Sequence, residues 1–157
     1  MIARLALCLL CAAVALAGTS CYEPPPITKP DVTASFPSTA EPGSTVTVTL
    51  TVSNPGPEME SVVVAFSRIG DPELPDPIVD VGTGGRAEAV AGVTPDPVAV
   101  SPDGVIYRFE GLAEGDSMEI AFELVLPKAS GDVGNAVLVS DGSVPQRAKG
   151  IRLSIAL

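Results

Sequence analysis

The chain has 157 residues, a formal net charge of −10, no histidine and no tryptophan. Without histidine it cannot contain a Ser-His-Asp or Cys-His nucleophilic site, and it lacks the commonest transition-metal ligand. Its negative charge would repel a phosphate backbone, and four Phe and two Tyr offer no base-stacking platform, so we expect no nucleic-acid partner.

Residues 1–20 have the pattern of a cleaved export signal. Arg4 precedes an apolar run from Leu5 to Gly18, whose 14 residues would span only about 21 Å as a helix. That length is short of the roughly 30 Å of a bilayer core, whereas it suits a secretory signal. A buried N-terminal helix is the alternative interpretation, but no amphipathic pattern supports it.

Two cleavage positions are open. The segment Ala15–Ala17 is a small-x-small site for ordinary signal peptidase, whereas Gly18–Cys21 resembles a bacterial lipoprotein box. Because Cys8 and Cys11 lie inside the signal, cleavage leaves Cys21 as the only thiol, with no partner for an internal disulfide. The resemblance implies that Cys21 is lipidated, with palmitate among its acyl groups, and plain secretion is the alternative.

Residues 21–30 are predicted to form a stiff tether between this anchor and the domain. Its prolines are Pro24, Pro25, Pro26 and Pro30. As polyproline II at about 3.1 Å per residue, Tyr22 to Pro30 would extend roughly 28 Å. The residue that follows Cys21 is Tyr22 and not Asp. By resemblance to Gram-negative lipoproteins, this favours the outer membrane as the location.

Residues 31–157 are predicted to form one all-β domain. The clearest strand is Thr45–Ser53, in which Val or Leu alternates strictly with Thr, so that one face is apolar and the other carries hydroxyls. Further strands are predicted over 32–36, 61–67, 105–109, 117–126, 135–140 and 150–157. No stretch has a sustained 3.6-residue period. Short strands separated by turn residues predict a β-sandwich of about seven strands.

The alternation is lost between Ile69 and Gly104, where prolines are frequent. Central strands are not expected there, although Ile78–Val81 and Val98–Val100 could be short edge strands. A long irregular segment in a compact domain often binds a ligand or is mobile. This segment is therefore the first place to look for a binding site.

The turn motifs carry a family resemblance. Glu41–Ser44, Asn54–Pro57, Gly111–Asp116 and Gly134–Ala136 resemble the turns of the Ig-like repeat modules of bacterial surface proteins, of the conserved-repeat and cell-adhesion-related types. The resemblance covers nearly all of residues 31–157. It implies a seven-stranded sandwich with a structural, spacing or adhesive use, and it implies nothing about catalysis.

Carboxylates in the irregular segment are candidate calcium ligands, since Ca²⁺ takes oxygen ligands. They are Asp71, Glu73, Asp76, Asp80 and Asp103, with Asp96 also in the segment. A merely solvated acidic surface is the alternative, and no Asp-x-Asp-x-Asp-Gly run is present.

Two other patterns are structural in our interpretation. The run Gly82–Ala87 formally matches a dinucleotide fingerprint, but the helix and second parallel strand that such a site needs cannot follow it, so we expect a glycine turn. The spacing from Asp103 to Tyr107 is similar to that of the tyrosine corner of Ig domains, with an ordinary strand tyrosine as the preferred alternative.

The sequence thus predicts a membrane-tethered, non-enzymatic Ig-like module that binds, adheres to or spaces another envelope component, either a protein or a glycan. The alternative is a calcium-dependent ligand- or glycan-binding domain that uses the 71–103 loops. A hydrolase built on carboxylate pairs is a third hypothesis, although aromatic sugar platforms are missing.

Overall fold

The computed structural model describes residues 27–67, 76–80 and 89–157, and these residues form ten strands and no α-helix. In chain order the strands are β1 (Asp31–Ser35), β2 (Thr45–Ser53), β3 (Val62–Ser67), β4 (Asp76–Pro77), β5 (Val90–Thr94), β6 (Ala99–Val100), β7 (Ile106–Phe109), β8 (Ser117–Val125), β9 (Asp132–Asp141) and β10 (Ala148–Ala156). Across these ranges no helix is long and apolar enough to cross a membrane. The predicted signal and Cys21 lie outside the described residues.

The strands form two sheets that pack face to face. The first sheet has the order β1-β2-β8-β5, and the second has the order β10-β9-β3-β7-β6. β4 pairs in parallel with β9 beyond the point where β3 ends. An Ig constant-type sandwich places strands A, B, E and D in one sheet and G, F and C in the other. Seven of the strands occupy these positions in that order, which confirms the predicted all-β, Ig-like β-sandwich. The hairpin of β6 and β7 is an addition at the free edge of β3.

β2 has the role that its pattern predicts. Val48, Leu50 and Val52 are fully buried, and the threonines between them point to the outer face. β2 lies between β1 and β8 and pairs with β8 along all of its length, from Thr45 to Ser53. Both of its edges are therefore hydrogen-bonded, so it is a central strand of the first sheet.

An aromatic cluster joins the two sheets. Phe122 from β8 packs edge-to-face against Phe66 of β3 and Tyr107 of β7, each with a ring-centroid distance of 5.1 Å. Phe109 of β7 lies 6.4 Å from Phe122 on the same cluster. Such pairs add roughly 0.5–1.5 kcal/mol each beyond their buried area. The cluster therefore forms the centre of the core.

The chain changes sheets soon after β1. Thr39 bridges Ala156 in parallel, where the Ala40 N–H donates to the Ala156 carbonyl at 3.0 Å. In return the Ala156 N–H donates to the Ser38 carbonyl at 3.0 Å. The segment that follows β1 in the first sheet thus pairs with β10 in the second and closes this side of the sandwich.

The irregular segment differs most from its sequence prediction. The sequence does not predict β5, because Gly92 and a bulge after Val90 interrupt the alternation of apolar and polar residues. As an edge strand, β5 can also form from half-exposed residues, which give no apolar pattern. The possible edge strand over Ile78–Val81 is not formed at Ile78, Val79 or Asp80, and Val81 lies outside the described residues. Strand pairing there is limited to Asp76 and Pro77, and Ile78 and Val79 are instead buried core residues. The predicted edge strand at Val98–Val100 is confirmed for Ala99 and Val100, which form β6.

Candidate functional site

A buried arginine joins the predicted tether to the domain. Arg147 is 6% exposed, and its Nε–H donates to the Thr28 carbonyl at 2.9 Å. One terminal nitrogen donates to Asp141 Oδ2 at 2.8 Å, and the other donates to Asn54 Oδ1 at 2.8 Å. A planar guanidinium can serve these three directions at once because its donors form a rigid fork. Arg147 thus connects the chain before β1 with the ends of β2 and β9.

The turn between β9 and β10 positions Arg147. Asp141 Oδ1 accepts hydrogen bonds from the Ser143 N–H at 2.9 Å and from the Ser143 hydroxyl at 2.8 Å. The Arg147 N–H donates to the Val144 carbonyl at 2.9 Å. An Asp that bonds the backbone two residues ahead is a common turn device. Asp141 therefore begins the turn with one oxygen and neutralises Arg147 with the other.

Asn54 completes this cluster from the opposite sheet. Its side-chain amide donates to the carbonyls of Pro57 at 2.9 Å and of Leu112 at 3.0 Å, and its Oδ1 accepts the Gly56 N–H at 3.2 Å. A Cβ at Gly56 would lie 2.8 Å from the Cβ of Thr28. The turn after β2 therefore does more than end the strand, since its glycine lets Thr28 lie directly against the domain.

Residues 76–80 and the turn at Gly104 lie at the opposite end of the sandwich. Asp76 pairs with Val133, which is eight residues before Asp141 along β9, a separation of about 27 Å. The turn at Gly104 lies just before β7, which starts beside the end of β3 and runs back towards the Arg147 cluster. We call the end with Thr28 and Arg147 the tether end, and the end with Asp76–Asp80 and the Gly104 turn the distal end.

Within the part of the chain that the structure describes, the predicted calcium ligands do not come together in one site. Asp71 and Glu73 lie outside the described residues, as does the Gly82–Ala87 run. Over 27–67, 76–80 and 89–157, no three or more His, Cys, Asp or Glu side chains form a group suited to a metal. Asp103 accepts a hydrogen bond from the Ser101 hydroxyl, which lowers the pKa of Asp103. Calcium binding stays a prediction, and a higher melting temperature in excess Ca²⁺ is its test.

A second buried amide holds the distal end to the core. Asn135 Oδ1 accepts the N–H groups of Ile78 at 3.1 Å and Val79 at 2.9 Å, and its Nδ2 donates to the Val79 carbonyl at 2.8 Å. Asn135 is 1% exposed. Its side chain therefore substitutes for a strand partner at the point where β4 ends.

Tyr107 makes a local hydrogen bond of the kind found in a tyrosine corner. Its hydroxyl donates to the Gly104 carbonyl at 2.8 Å, and burial raises the pKa of this phenol. In Ig domains the corner tyrosine lies on strand F, which corresponds to β9, whereas Tyr107 lies on the added strand β7. The bond secures the distal turn, and Tyr107 has a structural role.

The two outer faces of the sandwich have different chemistry. On the first sheet, Thr47 and Thr51 of β2 lie directly opposite Glu123 and Glu119 of β8. On the second sheet, the outward side chains of the three central strands are mainly apolar, and Ile106 and Leu138 are 43% and 40% exposed. One face is thus hydroxyl-rich and acidic, and the other is mainly apolar at its centre.

Sequence reasoning missed most of the buried polar residues. In the described part of the chain, every buried side-chain nitrogen and oxygen has a hydrogen-bond partner. The only local signal for the cluster at the tether end is Asp141-Gly142-Ser143, a turn sequence followed by an arginine between two apolar strands. The chain matches no protein-family model and no curated protein, so the resemblance of its turns to surface-repeat modules stays a prediction.

Proposed function

We propose that the protein is an exported, membrane-tethered, non-enzymatic binding module of the bacterial cell envelope. Cys21 carries the lipid anchor, and the distal end meets a protein or glycan partner. The observation that supports this proposal best is that the two ends of the sandwich differ, with Thr28 bound at one end and residues 76–80 and the Gly104 turn at the other. A domain held in this way directs its loops away from the surface to which it is anchored.

The contact at Thr28 also shortens the tether. Thr28 is seven residues after Cys21, and polyproline II would cover that interval in about 22 Å. The chain from Thr28 onward belongs to the folded domain, because Arg147 binds the Thr28 carbonyl and Pro30 is buried. The domain would therefore lie close to the membrane on a short, stiff spacer, a geometry that restricts its orientation.

Anchoring is tested by the mass of the mature N-terminal peptide together with membrane fractionation. We expect an acylated Cys21 in the membrane fraction of cells that make the wild-type chain, and release of a Cys21→Ser variant. A mature chain that begins at Gly18 and remains in the soluble fraction would contradict the anchor and support plain secretion.

Partner binding at the distal end is tested by site-specific photocrosslinking in whole envelopes. A photoreactive residue at Asp103 reports on the distal end, and the same residue at Val144 is the matched control, since Val144 is an exposed residue in the turn at the tether end. We expect a discrete adduct with an envelope protein or glycan from position 103 and none from position 144. Equal adducts from both positions, or none from either, would contradict the proposal.

A further inference from the structure

The outer face of the second sheet contains two adjacent rows of side chains across its central strands. Leu138, Ala65 and Ile106 lie directly opposite one another on β9, β3 and β7, and they form the first row. Ser140, Val63 and Arg108 form the second row on the same strands. Directly paired residues point to the same face. We call these six residues the flat face.

The flat face differs in charge from the rest of the molecule. The chain carries a formal charge of −10, yet the flat face holds one arginine and no carboxylate. Glu110 borders it at the side nearer the tether end. The opposite outer face presents Glu119 and Glu123. Two copies of such an acidic chain repel each other, and the repulsion is smallest where their flat faces meet.

The flat face is complementary to itself. Consider a second copy related to the first by a two-fold axis that runs parallel to β3 between the two faces. This rotation places β7 of one copy over β9 of the other. Ile106 then meets Leu138 of the second copy within one row, and Arg108 meets the hydroxyl of Ser140 of the second copy within the other. Val63 and Ala65 lie on the axis and meet their own counterparts. The contacts match in polarity, because apolar side chains meet in the first row and arginine meets a hydroxyl in the second, and the two arginines stay apart.

We propose that the flat face binds a second copy of this chain, with the strands of both copies running in the same direction. This arrangement places both tether ends on the same side, as two anchors in one membrane require, and to that extent it depends on the proposed function. The five strands β10-β9-β3-β7-β6 are together only about 19 Å wide. The interface therefore buries little area and is at the weak end of specific interfaces. Confinement to a membrane raises the effective concentration and favours such a dimer.

Crosslinking of the full chain in isolated membranes tests this proposal. Ala65→Cys places a thiol on the axis, and Thr49→Cys places one in the middle of the opposite outer face as a matched control. Both variants keep the native cysteines, and the wild-type chain reports their background. With a short bismaleimide we expect at least fivefold more dimer from Ala65→Cys than from Thr49→Cys. Equal yields, or an Ala65→Cys adduct with a different protein in place of the dimer, would overturn the proposal.

A second substitution separates contact at the flat face from chance collision. Ile106→Glu in the Ala65→Cys chain puts a carboxylate against Leu138 of the second copy and should abolish the dimer. Thr47→Glu in the same chain adds the same charge on the other outer face and should leave the dimer unchanged. Both positions are exposed, and equal melting temperatures confirm that both variants fold. Dimer that survives Ile106→Glu would overturn the interface. If the chains are in the membrane fraction but form no dimer, only the interface is refuted. If the chains form the dimer but are found outside the membrane fraction, only the anchor is refuted.

Discussion

Replacement of Arg147 by alanine should destabilise the domain strongly, because it leaves a buried charge without a partner. Asp141 is 1% exposed, and Arg147 is the partner of its only described salt bridge, at 2.8 Å. The two hydrogen bonds from Ser143 remain, but they bring no positive charge. Removal of one member of a buried ion pair typically costs about 3–5 kcal/mol. We therefore expect the free energy of unfolding to fall by about 4 kcal/mol, a large part of the roughly 5–15 kcal/mol of a typical domain.

Equilibrium unfolding in urea, followed by far-ultraviolet circular dichroism, measures this loss. With an m value of about 1.5 kcal/mol/M, the midpoint should fall by about 2.7 M. The control is Arg108→Ala, because Arg108 is exposed on β7 and its loss should cost less than about 0.5 kcal/mol. Arg147→Lys should lie between the two, since an ammonium can pair with Asp141 but lacks the fork that reaches Thr28 and Asn54. A loss below about 1 kcal/mol for Arg147→Ala would refute the reasoning.

A double substitution tests whether the unpaired carboxylate is the cause. Asp141→Leu added to Arg147→Ala removes the buried charge, so the double variant should be more stable than Arg147→Ala alone. If the two losses simply add, the destabilisation comes from lost packing and turn hydrogen bonds. The same variants report on the tether, because a chain without Arg147 should be cleaved by protease near Thr28 at lower enzyme concentration.

Three further predictions concern the rest of the domain. Asn135→Ala removes the acceptor of the Ile78 and Val79 N–H groups, so we expect a loss of about 2 kcal/mol and faster hydrogen exchange of these two amides than in the wild type. Phe122→Ala removes the ring that joins the sheets and should cost about 3–5 kcal/mol in calorimetry, and a loss below 1 kcal/mol would contradict the central place of the aromatic cluster. The pKa of Tyr107 is raised above 10.0 by burial, so the unfolded chain loses this proton first. Stability should therefore fall as the pH rises through 10.0 and on to the raised pKa, and Tyr107→Phe should reduce this fall in urea titrations.

Strand prediction from the sequence depends on whether each strand has one buried face. β2 and β8 alternate along their full lengths, and their predicted and observed bounds differ by one residue at most. β5 has no such pattern, because it lies at an edge, contains Gly92 and is bulged. It is nevertheless strand D of the Ig-like order, and the predicted strand 105–109 is part of an added hairpin. The seven predicted strands therefore equal the seven Ig positions in number only, because one of them is the added β7 and β5 is missing from the prediction.

The tether end could not be predicted from local pattern. Asn54 reads as a turn residue, but nothing near it in the chain indicates that it also accepts a hydrogen bond from an arginine 93 residues later. A charged residue in a turn is usually solvated. Arg147 is buried because two sheets and the segment before β1 meet at that point. Nor does any local pattern indicate that Thr28, within the predicted tether, accepts a hydrogen bond from Arg147.

By itself the sequence determined the fold class, because side-chain alternation and turn chemistry act over fewer than about ten residues. It also predicts export and lipidation of Cys21, since such signals depend on a few neighbouring residues. Only the tertiary structure decided which end of the sandwich binds Thr28, which six outward residues form a patch without a carboxylate and where the buried charges pair. Thr28 and Arg147 are 119 residues apart along the chain. Their contact, like the rows of the flat face, exists only after strands distant in sequence have paired, and no local pattern specifies it.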